Sequence, residues 1–202
     1  MVGGRHRTEK PGTDWRRFAL AGTAGLVLAG GTVAATTATA AVPVYFAVSG
    51  STFTVTADTL RGRNAVQYAS VTSGTDKKHP VAVASIADAT LTNLCQSSVT
   101  RTPLGAVTLT IRTGENRSVH ARDLVIDLQR LDGDLHFKDV RMGQDASTLS
   151  GAGPRARPGA YGQQARRLDI NDVKVRAWSV AAATFELADA SMSIRPGAHP
   201  CA

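Results

Sequence analysis

The sequence contains no Gly-x-Ser-x-Gly turn and no G-x-x-x-x-G-K-[ST] loop. Neither the nucleophile elbow of a serine hydrolase nor a phosphate-cradling loop can therefore be read from it. It has no Cys-x-x-Cys pair, and its five histidines, His6, His79, His120, His136 and His199, form no cluster in sequence. A zinc site needs several such ligands at short spacing. No catalytic residue, no metal and no cofactor is expected. Charge is missing altogether from Phe18 to Ala57. Only Trp178 to Leu187, WSVAAATFEL, could pass for a helix, and it also alternates as a strand, which is the reading preferred here.

The uncharged stretch follows a basic start, MVGGRHRTEKPGTDWRRFAL, and leads to Ala38-Thr39-Ala40, a small-x-small pattern. This is the layout of an export signal. Residues 1–40 are read as that signal, with an uncleaved membrane anchor as the alternative. The run is long enough to span a bilayer, but its Gly and Thr content makes it weakly apolar. Arg5, Arg7, Lys10, Arg16 and Arg17 against Glu9 and Asp14 give the segment +3 of the chain's +7, leaving +4 on residues 41–202. So mild a charge would suit an anionic envelope surface, but it gives no ground for nucleic-acid binding.

Export places the two cysteines, Cys95 and Cys201, where disulfides persist, and a pair without an odd partner points to one bridge between them. Residues 41–202 are then a single domain whose C-terminus is pinned to its middle.

That domain carries a recurring pattern, apolar-x-apolar-x-Asp-apolar-x-apolar. It reads ASIADATL from Ala84, VHARDLVI from Val119, LHFKDVRM from Leu135, LDINDVKV from Leu168 and FELADASM from Phe185. The steps of 35, 16, 33 and 17 residues imply a unit of 16–17 residues with two degenerate copies. In every copy the strand alternation slips by one at an aspartate: Asp88, Asp123, Asp139, Asp172 and Asp189. Asp tolerates unusual backbone angles and bonds nearby backbone N–H groups, so these five are read as structural residues at bulges or corners, with Asp123, Asp139 and Asp172 expected to be partly buried and bonded to backbone. Turn signals stand at Ser49-Gly50, Ser73-Gly74, Thr113-Gly114 and Asp132-Gly133, and Val107 to Thr113 alternates as a strand without an Asp. The expected fold is all-β: a repeat-built, curved antiparallel sheet with bulges. A β-solenoid of 16–17-residue coils is the alternative. The Gly133 turn is read as joining two repeats in a hairpin.

Other chemistry is thin. His120 and His136 both occupy the polar second position of a repeat and are read as surface residues sharing a sheet face. Asp132-Gly133-Asp134 lacks the remaining ligands of a calcium loop and is read as a tight turn. The segment from Gly151 to Arg167, GAGPRARPGAYGQQARR, is a basic Gly/Pro/Arg loop without a single acid. Its Arg155, Arg157, Arg166 and Arg167 are candidate contacts for an anionic group, set against a plain solvated loop.

The stretches VPVYFAVSG, ADTLRG, VQYASV, HPVAVASIADATLTNLCQS, LVIDLQRLDGDLHF, DASTLSG and GQQARRLDINDVKVRAWSVAAATF, with a near-terminal Cys, resemble a family of secreted actinobacterial proteins known as a domain of unknown function. The family usually ends Cys-aromatic, whereas this chain ends Cys201-Ala202. The resemblance implies export and a shared fold. Some members are labelled cholesterol esterase, which no serine in this chain supports. Three functions follow as expectations. The first is a secreted or envelope-associated, non-enzymatic β-protein binding a lipid or apolar ligand. The second is an envelope structural or assembly protein with a membrane-protein partner. The third is a lipid-ester hydrolase.

Overall fold

The computed structural model describes residues 51–74 and 77–201. They belong to one compact unit, Tyr45–Ala202. The expected export segment, residues 1–40, and the Ser49-Gly50 turn lie outside the described residues. The elements are β1 (Phe53–Ser73), β2 (Lys78–Thr92), β3 (Cys95–Thr102), β4 (Gly105–Arg112), β5 (Ser118–Asp145), a 3-10 turn (Ala146–Thr148), β6 (Tyr161–Ala181), β7 (Thr184–Leu187) and β8 (Ser191–Pro196). Every strand pairing is antiparallel, so the curved sheet is the fold and the solenoid is not.

The sheet closes on itself. β1 pairs β2 along one edge and β6 along the other, β2 pairs the first part of β5, and β5 pairs β6. This ring of four long strands encloses a core that includes Leu60, Ile86, Leu124, Leu168, Ile170 and Val173. A second, smaller cluster of Val66, Tyr68, Val81, Val83 and Ala146 lies apart from it. β3, β4 and β8 leave the ring as a wing. β2 and β3 are nearly one strand, because Thr59↔Thr92 and Thr56↔Cys95 keep a single register along β1 across Asn93.

The slip in LDINDVKV has a physical answer. Asp172 has φ 52°, in the left-handed region that Asp and Asn enter more easily than other side chains. That one residue reverses the pleat. Leu168 and Ile170 before it and Val173, Val175 and Ala177 after it are all buried in the same core. Asp123, Asp139 and Asp189 share the conformation, with φ of 49°, 53° and 48°. Asp88 is absent from the positive-φ residues. Asn64 and Asn93, at φ 52° and 54°, take the left-handed role in β1 and between β2 and β3.

Three expectations need correction. Asp123, Asp139 and Asp172 are exposed rather than partly buried. Asp139 pairs with Arg166 Nε at 3.3 Å rather than with backbone. A shifted register is also not the rule at these residues. Arg63↔Asp88 and Ala65↔Ile86 keep one register on both sides of Asn64, as Lys138↔Arg167 and Val140↔Ala165 do around Asp139. Neighbouring strands slip at the same rank, so the two slips cancel.

A true register shift faces Asp172, between Asp132 and Asp134 of β5. Gly133 sits there with φ 146°, and a Cβ on it would lie 2.7 Å from Asn171 O. The hairpin expected at Gly133 is therefore a bulge inside β5, which runs unbroken from Ser118 to Asp145. Trp178 to Leu187 is strand except around Ala182-Ala183, and Val107 to Thr113 lies in β4 and the turn after it. The basic segment is loop only as far as Ala160, because β6 begins at Tyr161.

Candidate functional site

The core of the ring is almost filled. The cavity at its end measures about 40 Å³, among Phe53, Val55, Leu91, Leu124, Val173 and Phe185. Sites for small organic ligands run to roughly 300–1,000 Å³. A larger hollow of about 550 Å³ lies where β1, β6 and β5 cross the rank of Asn64, Arg166 and Asp139. It is lined by Ala65, Val66, Val140 and Ala165 beside Gln164, Arg141 and Ser150. The groove is open and mixed in polarity, and its Arg166–Asp139 pair joins two exposed side chains.

The four candidate arginines do not converge. Arg166 is engaged by Asp139, and Arg167 stands opposite Lys138 and Arg63 in the strand registers. Arg155 and Arg157 are exposed in the loop before β6. That loop is fastened. The Tyr68 hydroxyl donates to Pro154 O. Asp145 accepts from Ser147 N at 2.9 Å, Ser147 Oγ at 2.8 Å and Gly159 N at 2.8 Å. These bonds hold the Asp145 carboxyl below its usual range. Burial pushes the Tyr68 phenol up, with the Asp127 charge adding to it. Ala156, Leu149 and Ala160 pack on the second core cluster.

His120 and His136 are exposed and stand opposite different partners, Thr90 and Asp169. His79 stacks on Trp178 with ring centroids 3.7 Å apart. Ser179 Oγ donates to Asp127 Oδ2 at 2.9 Å, so the partner of that serine is a carboxylate and not an imidazole. Among the described residues no three of His, Cys, Asp and Glu gather as a metal site would require.

Apolar side chains meet solvent on β5, at Leu135, Val140 and Met142, and more fully on the wing. One of its faces is covered by the C-terminal segment. Thr108 Oγ1 donates to Gly197 O at 2.7 Å, Cys201 N donates to Ser97 Oγ at 2.8 Å, and Cys95 is bonded to Cys201. Ser97, Thr108 and Thr110 are buried there. The opposite face carries Val107, Leu109 and Ile111 of β4 beside Pro196, Ile194 and Met192 of β8. Met192 and Ile194 are 69% and 70% exposed. β8 ends the sheet among the described residues. Alternation in β8 reads as a strand, but nothing in the sequence marks it as an uncovered edge.

No helix among the described residues is long and apolar enough to cross a membrane. No curated protein and no solved structure matches the chain. The model of one family matches residues 49–202, most of the chain, and the protein belongs to that family of unknown function, DUF6230.

Proposed function

We propose that the domain is a non-enzymatic structural or assembly protein of the cell envelope, acting outside the cytoplasm through its sheet surface. The observation that carries this is the distribution of apolar side chains. The ring keeps a cavity of only about 40 Å³, while Met192 and Ile194 stand in solvent on an edge strand with one free side. An uncovered apolar edge is a liability that soluble proteins usually blunt, so its presence favours a partner. The Cys95–Cys201 bridge and the expected export segment support an oxidising location.

Lipid binding, the other leading expectation, draws support from the narrow apolar cleft at the end of the ring and from the size of the groove beside Asn64, whose lining is mixed in polarity. Ester hydrolysis draws none from the Ser179–Asp127 pair. A photoreactive residue placed at position 194 in the producing cell tests the proposal, with the same residue at the exposed Arg141 as control. A discrete protein adduct at 194 alone is expected. Purified protein that carries lipid in fixed stoichiometry and gives no adduct at 194 would overturn the assembly reading in favour of the lipid one.

A further inference from the structure

The wing also carries information about which partner fits it. In an antiparallel pair, residues alternate between those that exchange N–H···O bonds with the neighbour and those whose N–H and C=O point away. Gly197 N donates to Ala106 O at 2.7 Å, which fixes the phase of the β4–β8 pair. Counting back along the register, Arg195, Ser193 and Ser191 bond to β4. The backbone groups of Met192 and Ile194, and the carbonyl of Pro196, point to the free edge. Pro196 falls where an N–H would face solvent, the position at which an edge strand accepts proline.

We infer that β8 pairs with β8 of a second copy of this chain, across a two-fold axis at Ser193; this rests on the assembly reading and names its partner. Only registers that bring outward-facing residues together can form bonds. With the axis at Ser193, Met192 exchanges two backbone bonds with Ile194 of the other copy, and Ile194 does the same with Met192. With the axis at Ile194, Met192 would donate to Pro196 O and receive no bond in return, because Pro196 has no N–H. With the axis at Met192, Ile194 would face Ala190, which lies outside β8.

The same register suits the side chains. Directly opposite residues share a face, so Met192 and Ile194 of both copies form one apolar cluster continuous with Leu109 and Ile111. Arg195 stands opposite Ser191 rather than opposite a second Arg195, so no like charges meet. The interface is isologous and closed, which stops the edge from recruiting further chains. The free edge of β5 beyond the β2 pairing is a poorer match: its exposed Leu135, Val140 and Met142 are interspersed with Arg130, Asp132, Asp134, Lys138, Asp139 and Arg141, and a bulge at Gly133 breaks its register. One short strand per copy makes a small interface, so the dimer is weak, with a dissociation constant on the order of 100 µM.

The test uses the full chain. Sedimentation velocity from tenfold below to tenfold above that concentration should show monomer passing to dimer. Ser193→Cys should cross-link to itself under mild oxidation, because a non-hydrogen-bonded pair brings the two Cα atoms to about 4.5 Å, within disulfide range. Ser191→Cys, opposite Arg195, should cross-link at least tenfold more slowly. Ile194→Pro removes an outward N–H and the apolar side chain beside it, at an edge position that proline tolerates. It should leave the unfolding midpoint unchanged and abolish the dimer. A chain that stays monomeric throughout, equal cross-linking at 191 and 193, or a dimer that survives Ile194→Pro would each overturn the proposal. A photoadduct at position 194 to a different protein, with the chain monomeric, would overturn the dimer while leaving the assembly reading intact.

Discussion

A left-handed residue inside a strand costs an ordinary L side chain about 1–2 kcal/mol, less for Asp or Asn and almost nothing for Gly. The aspartates at 123, 139 and 172 are exposed, and the exposed Arg166–Asp139 pair adds little. Their stabilising contribution thus lies in the backbone they tolerate. Asp172→Ala and Asp139→Ala should each lose about 1 kcal/mol in urea unfolding, while the Asn and Gly variants should stay within about 0.5 kcal/mol of the parent. If the Gly variants lose as much as the Ala variants, the side chain and not the backbone is what counts. Gly133 is stricter. With φ 146° and Asn171 O 2.7 Å from a modest added Cβ, Gly133→Ala should cost more than about 2 kcal/mol, read from the same transition. The slip was legible in the sequence because it disturbs period-two alternation around a recognisable residue type. Asn64 and Asn93 escaped because Asn replaces Asp in LRGRNAVQ and ATLTNLCQ. The slip at Ala87-Asp88 deceived because it faces Asn64 and Asp123, which already hold the left-handed backbone on either side.

Among the elements, the loop between β5 and β6 depends on one exposed carboxylate. Asp145 is held below its ordinary value by bonds from Gly159 N first and then from Ser147. A carboxylate whose folded value is depressed stabilises above its unfolded pKa, and that stability is lost as pH falls through the folded one. Protease cleavage in residues 149–160 should therefore accelerate below about pH 4. Asp145→Asn should show fast cleavage already at neutral pH and little further change on acidification. At the alkaline end the sign reverses for Tyr68. Its raised value means that the neutral phenol is favoured in the fold, so the tie to Pro154 is present below the unfolded pKa and lost as pH rises through the folded one. The strands themselves were legible from alternation and turn residues. The unbroken length of β5 was not, since a glycine between two aspartates reads equally as a turn or a bulge and only its partner strand decides. The basic loop reads as a plain solvated loop in sequence because its anchors, Tyr68 and Asp145, lie outside the stretch from Gly151 to Arg167.

At the scale of the whole molecule, ring closure came from a fact no local pattern carries: β1 has β2 on one side and β6 on the other. The covalent bridge was legible from the pair of cysteines. It closes a separation of 106 residues, and on the chain-entropy model a loop of that order contributes about 4–5 kcal/mol. Replacing both cysteines by serine should lower unfolding free energy by about that amount and release the cover over Thr108 and Thr110, seen as faster amide exchange in β4 than in β6. The bridge has a mechanical corollary. Thr56 stands opposite Cys95, and Cys95 is joined to Cys201, so both ends of the described chain are moored at one spot on the sheet. A pull between Ser51 and Cys201 finds its shortest path through Thr54↔Ser97, Val55↔Gln96 and Thr56↔Cys95. Those residues of β1 also pair β6 from Phe53 to Ala57, so the load enters the ring at one end only, and β2, β5 and the rest of β1 lie off that line.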